Sequence, residues 1–147
     1  MRRLAVSLRH AHHVYGGPRR YFHVFIHDDE DQMRAAAVAY NGWPVDDAEA
    51  VCQPAPSRQR LADDGETWEQ VEPDHFGGIL RFVQGNVTTE IVAHELTHAA
   101  LVVYRMDINP DVRLGNGCRL REEHLAYITG DLIGAASTVL HDAGVWS

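Results

Sequence analysis

The chain contains no lysine: all 13 of its basic residues are arginine, set against 21 carboxylates, for a net charge of −8 with histidine neutral. No basic stripe offsets that balance, so phosphate-backbone binding is disfavoured and no nucleic-acid partner is expected. Long apolar runs are also missing. None approaches the ~20 residues that cross a bilayer, so no membrane partner is expected. The N-terminal LAVSL is too short for the apolar stretch of a signal peptide, and Arg9 and a histidine cluster follow it. It reads as a strand of the mature protein, and the expected location is cytoplasmic. Cysteine is scarce: Cys52 and Cys118 lie far apart without CxxC spacing, the pattern of two reduced, partly buried thiols. Repeats and low-complexity tracts are absent. What is present, 45% hydrophobic and 23% charged residues over 147 positions, fits one globular domain spanning 1–147.

Hydrophobic periodicity outlines an α+β fold. Leu4, Val6 and Leu8 alternate with Arg3, Ala5 and Ser7, which predicts a half-buried strand over 3–9. Gly16-Gly17-Pro18 is a turn, and YFHVFIH at 21–27 is a second strand with Phe22, Val24 and Ile26 on one face. The period then becomes helical. Asp28 is the expected N-cap, Met33, Ala37 and Tyr40 form the apolar stripe, and Asn41-Gly42 is the stop. A short strand near 50–53 and a polar, Pro-containing loop follow, and a loop that long is a candidate lid over 53–75. ILRFVQ at 79–84 is a strand. Thr88 caps the next helix, with Glu90 near its positive end. After a loop holding Pro110, Gly115 and Gly117, a last helix runs over 119–141, with Gly130 and Gly134 spaced for close approach to a neighbour. The expected architecture is a small mixed or antiparallel sheet packed on two or three helices.

Chemistry concentrates in EIVAHELTHAALVVY at 90–104. His94 and His98 are four apart, which stacks them on one helical face about 5–6 Å apart. Two imidazoles so placed can converge on one Zn²⁺ at ~2.0–2.1 Å each. Glu95 flanks the same seam without having to be a ligand. In this HExxH arrangement the glutamate takes a proton from the zinc-bound water and later delivers it to the leaving group. The helix is otherwise apolar almost all round, and burying Glu95 with two histidines and no partner would cost several kcal/mol. A metal removes that cost.

A catalytic zinc needs a third protein ligand and an open position. Candidates lie in LREEHLAYITGDL, where Glu122 and Glu123 begin the last helix. Helical geometry favours Glu123, because Ala126, Tyr127 and Gly130 share its face and leave room against the partner helix. Glu122 is the alternative ligand, and His124 would give a three-histidine site. Tyr127 could orient a ligand from behind.

AHELTHAA followed by EEHLAY resembles the HExxH…E pattern of the gluzincins, the thermolysin-like zinc metallopeptidases. It is most similar to their minimal versions in phages and actinobacteria, where a downstream ExxAY opens the second helix. The resemblance covers about residues 79–133. It implies a zincin-like fold in which the HExxH helix follows an edge strand, here 79–84, that aligns an extended peptide by backbone hydrogen bonds. It also implies zinc ligands His94, His98 and Glu123, one zinc per chain, Glu95 as general base, and a peptide or protein substrate. The chain departs from thermolysin in lacking Asn-Glu-x-x-x-Asp around the third ligand, with Tyr127 where the aspartate would stand. For the oxyanion-stabilising role His75, Tyr104 and Tyr127 are the candidates.

Two other readings accompany the metallopeptidase: a non-catalytic, zinc-stapled scaffold or partner-binding module, and a zinc hydrolase of a non-peptide amide. The remaining motifs read as structure. His10, His12 and His13 form a solvated cluster at a hairpin tip. His27-Asp28-Asp29 and His141-Asp142-Ala143 punctuate helices, and Asn86-Val87-Thr88 is a turn and a cap.

Overall fold

In a computed structural model of the chain, residues 1–9, 19–42, 44–56, 58–71, 75–108 and 119–147 are described, apart from the side chains at 58–61, 68–71 and 119–122. The Gly16-Gly17-Pro18 turn, His10, His12, His13, Cys118 and the loop with Pro110, Gly115 and Gly117 lie outside the described residues, as does the Glu122 side chain.

Alternation builds the sheet. Strand β1 (Arg2–Ser7) pairs antiparallel with β2 (Tyr21–His27), matching Val6 to Phe22 and Leu4 to Val24. Helix α1 (Glu30–Asn41) and strand β3 (Val51–Pro54) come next, then β4 (Arg58–Leu61), β5 (Trp68–Val71) and β6 (Phe76–Val83). β2 pairs parallel with β6, and β6 antiparallel with β3, so the four-stranded sheet is mixed and runs β1-β2-β6-β3. One face carries Val6, Phe22, Val24, Ile26, Leu80 and Phe82, each at most 2% exposed. Helices α2 (Thr89–Asp107) and α3 (Arg119–Asp142) cover it, α2 lying on β6 and β3 and α3 on α2 and β1. Val92, Leu96, Ala99 and Val103 of α2 join Ile128, Leu132, Ala136 and Leu140 of α3 in that single core. Among the described residues no helix is long and apolar enough to cross a membrane.

Helix α1 covers the opposite face through Met33 and Ala37, both fully buried, against β2 and β6. Beneath it the Arg81 guanidinium donates to Gln53 Oε1 at 2.7 Å, and Gln53 Nε2 donates to the Ala37 carbonyl at 2.8 Å. Arg81 Nη1 lies 3.3 Å from His27 Nε2, and its guanidinium carbon sits 5.2 Å from the Phe25 ring centroid, within cation–π range. An amide, an imidazole and a ring thus replace a carboxylate around this buried charge.

Four local expectations change. β6 is interior, not an edge, because Ile79, Arg81 and Val83 are buried on one face and Leu80 and Phe82 on the other; β1 and β3 are the edges among the described strands. Asp29, not Asp28, caps α1, since Asp29 has the extended backbone that lets its carboxylate accept from Gln32 N at 2.8 Å. The segment after β3 is not simply a loop: β4 and β5 form their own antiparallel pair, closed where Asp64 accepts from Glu66 N and Thr67 N. β6 begins at Phe76 rather than at 79, so Gly77 and Gly78 lie inside it, where the register against β2 shifts. A Cβ on Gly77 would meet the Phe22 ring, and one on Gly78 the Gln53 carbonyl oxygen.

One ion pair ties the sheet to the helices. Arg20, 1% exposed, places Nε 2.9 and 3.1 Å from the two carboxylate oxygens of Asp107 at the end of α2. Asp107→Ala takes the carboxylate away from that buried guanidinium and is expected to cost ~3–5 kcal/mol, read as a lower urea midpoint at unchanged slope. His27 supplies a second expectation. Burial first, and Arg81 second, hold its pKa below the ordinary 6.5. The folded state therefore binds fewer protons than the unfolded one below that value, and stability present above pH 6.5 falls away as pH drops through the folded pKa. His27→Gln should shrink the loss of urea midpoint between pH 7.5 and pH 5 relative to the parent chain.

Candidate metal centre

Helix α2 begins where Thr88 Oγ1 accepts from Ile91 N, with Glu90 in the positive first turn. Its buried side carries Val92, Leu96, Ala99 and Val103, which leaves Glu90, His94, Thr97, His98 and Arg105 along the exposed side. The core therefore fixes which way the two histidines face. Their Nε2 atoms lie 3.2 Å apart, with ring centroids 4.8 Å apart. Two nitrogens each ~2.0–2.1 Å from one zinc at the tetrahedral angle sit ~3.3–3.4 Å from each other. The observed separation matches that spacing to within about 0.2 Å. Without a cation, two neutral imidazoles can share only one hydrogen across the gap.

Glu95 lies about 100° further round the helix and is only 6% exposed. Its carboxylate accepts no hydrogen bond from the described residues, and its nearest basic nitrogen is His94 Nε2 at 3.9 Å. Burial pushes the Glu95 carboxyl above its usual range, and His94 pulls it part of the way back. Cys52, on the helix-facing side of β3, feels that carboxylate: burial, and then Glu95, push its thiol up to about 12.

The exposed side of α2 opens on a cleft of about 420 Å³. One wall is Glu90, Ile91, His94 and Glu95; the other is Asp47, Ala48, Glu49 and Ala50, the segment leading into β3. Arg34 of α1 holds that second wall, donating from Nε and Nη2 to the Ala48 carbonyl at 3.2 Å while Nη2 also reaches Glu30 Oε2 at 3.0 Å. No motif in the sequence marks this wall. Its only signal was the acidic run Asp46-Asp47-Ala48-Glu49 just before a short strand.

The other expected site residues are spread out. Glu123 is exposed near the start of α3, and among the described residues no group of three His, Cys, Asp or Glu side chains converges as a metal site. Tyr127 is 58% exposed and shares its outward face with Gly130 and Gly134. A Cβ on either glycine would meet nothing within 4 Å, so these glycines do not bring α3 close to α2; alanines such as Ala99 and Ala136 lie in the core between the helices. His124 is half-buried. Tyr104 is 3% exposed, within the core. His75 precedes β6 at the end away from the cleft, roughly 20 Å from the 47–50 segment at ~3.3 Å per residue. The two HD dipeptides belong to packing: His27 sits in the Arg81 network, and His141 stacks on Trp146 with ring centroids 4.6 Å apart.

A thiol with so high a pKa is almost entirely protonated at pH 8 and a poor nucleophile. In a Cys118→Ser background, Cys52 should react with a disulfide reagent orders of magnitude more slowly in the native chain than in urea; equal rates would contradict the environment described. Comparison with known proteins yields no matching family model, no matching curated protein and no matching solved structure.

Proposed function

We propose that the chain is a zinc-dependent hydrolase acting on peptide bonds, with His94 and His98 as two of the metal's ligands and Glu95 as the general base. The observation that carries this reading is the 3.2 Å separation of two outward-facing imidazole nitrogens beside a buried carboxylate that accepts no hydrogen bond from the described residues. A bound zinc ion would contribute Lewis acidity, making water a nucleophile near neutral pH and polarising a carbonyl. The chain's residues do the rest. Glu95 is close enough to His94 to take a proton from a water at the pair, and its burial keeps that proton transferable rather than tightly lost to solvent. Glu123 and Glu122 stand as the third-ligand candidates at the start of α3.

Substrate alignment passes from β6 to β3. Ala55 N donates to the Gly77 carbonyl, and antiparallel pairs alternate, so Gln53 and Val51 pair inward and Cys52 turns its N–H and C=O outward. An extended peptide added there would run beside the cleft. Tyr104 lies in the core and His75 at the far end of β6, and this favours a second reading, a zinc-stapled scaffold without turnover.

Zinc per chain and peptide hydrolysis, measured together for the parent and for Glu95→Gln, separate the two. Catalysis requires a variant that keeps about one zinc and loses hydrolysis by ~10²-fold or more. Retained zinc with no hydrolysis by the parent supports the scaffold, and a parent that never takes up zinc removes both. For the third ligand, Glu122→Gln and Glu123→Gln are compared by zinc titration. The true ligand is the one whose loss weakens affinity at least ~10-fold.

A further inference from the structure

The cleft beside the histidine pair is lined by four carboxylates, Asp47, Glu49, Glu90 and Glu95, and by no arginine. None of the first three makes an ion pair or hydrogen bond with the described residues, and the Arg34 guanidinium beside the wall is occupied by Glu30 and the Ala48 carbonyl. The fourth, Glu95, is nine-tenths buried at the cleft wall and accepts no hydrogen bond from the described residues, with His94 Nε2 3.9 Å away. Like charges facing one another across a cleft repel, and the net charge of −8 adds to the field. A bound cation relieves that repulsion. One metal ion at the histidine pair would answer Glu95, but Asp47 and Glu49 stand on the opposite wall and belong to no three-ligand group among the described residues.

We infer that this cleft selects an extended peptide by an arginine or lysine side chain close to the bond presented to His94 and His98, with Asp47, Glu49 and Glu90 receiving its charge. The inference rests on the hydrolase reading above and names its substrate class. The geometry is that of strand addition. The acidic wall runs directly into edge strand β3, so a peptide paired along β3 carries alternate side chains past it. Its volume of about 420 Å³ admits a few residues rather than a folded surface. The three outer carboxylates are exposed, so their pull is modest, on the order of tenfold in total at low ionic strength, and it fades as salt shortens the screening length.

The test uses the full, zinc-loaded chain and a peptide series carrying Arg, Lys, Gln or Glu at each position around the bond. Two readouts run in parallel: kcat/KM for the parent, and fluorescence-anisotropy binding to Glu95→Gln, each at 20 mM and 200 mM NaCl. Expected is a preference of roughly tenfold or more for Arg and Lys over Glu at low salt, reduced at high salt. It should fall below about threefold in Asp47→Asn/Glu49→Gln, which keeps its zinc and its thermal midpoint. Binding with that preference but no hydrolysis overturns the peptidase reading and sustains this one. Hydrolysis without charge preference does the reverse. A preference that survives neutralisation of the wall, a wall variant that loses zinc, or no binding of any peptide overturns the inference.

Discussion

Strand β6 has no face left for water, and most of the molecule follows from that. With Leu80 and Phe82 on one side and Ile79, Arg81 and Val83 on the other, it has to lie inside the sheet with helices on both faces. That requirement brings α1 to the back and α2 and α3 to the front. It also leaves the short β3 as the sheet's boundary next to α2. The Gly85 turn sends the chain from β6 into α2, so the histidines are carried on an element seated directly on the strand that precedes it. Large apolar side chains seat that helix, and their removal would cost more than any polar contact at its surface.

Helix α2 divides its circumference sharply. A core-facing side of Val, Leu and Ala fixes the rotation of the helix, and rotation fixes which direction His94 and His98 face. Glu95 stands on the boundary between the two sides. At 6% exposure it still lines the cleft, and that burial is what raises its pKa. The same boundary explains Cys52, whose thiol is held protonated by burial and a neighbouring carboxylate rather than by a disulfide.

Local features were legible in the sequence. The His94–His98 spacing, the Thr88 cap, the strand at 21–27 and the extent of α3 all depend on periods and caps within a few residues. What depended on contacts between distant segments was not. The resemblance implies an edge at 79–84, whereas apolar residues at both parities mark that run as interior. The hairpin of β4 and β5 has few apolar residues to alternate, and only Asp64-Gly65 announced its turn. Gly130 and Gly134 looked like a helix contact but face outward, because spacing alone does not say which side of a helix meets its neighbour. The Asp47–Ala50 wall shows in the sequence only as an acidic run before a short strand. It becomes part of a site only once β3 is laid beside α2.

The Arg34 contact makes that wall answerable to the far side of the sheet. The Ala48 carbonyl is held by a helix that shares no core with α2, and Arg34 is itself steadied by Glu30 one turn earlier. The aperture over the histidines is therefore gauged from behind, like a jaw set by a screw on the opposite side of the frame. A lesion in α1 that slackens Arg34 would widen or narrow the opening without touching any residue that lines it, and a scan confined to the cleft would never reveal what holds it open.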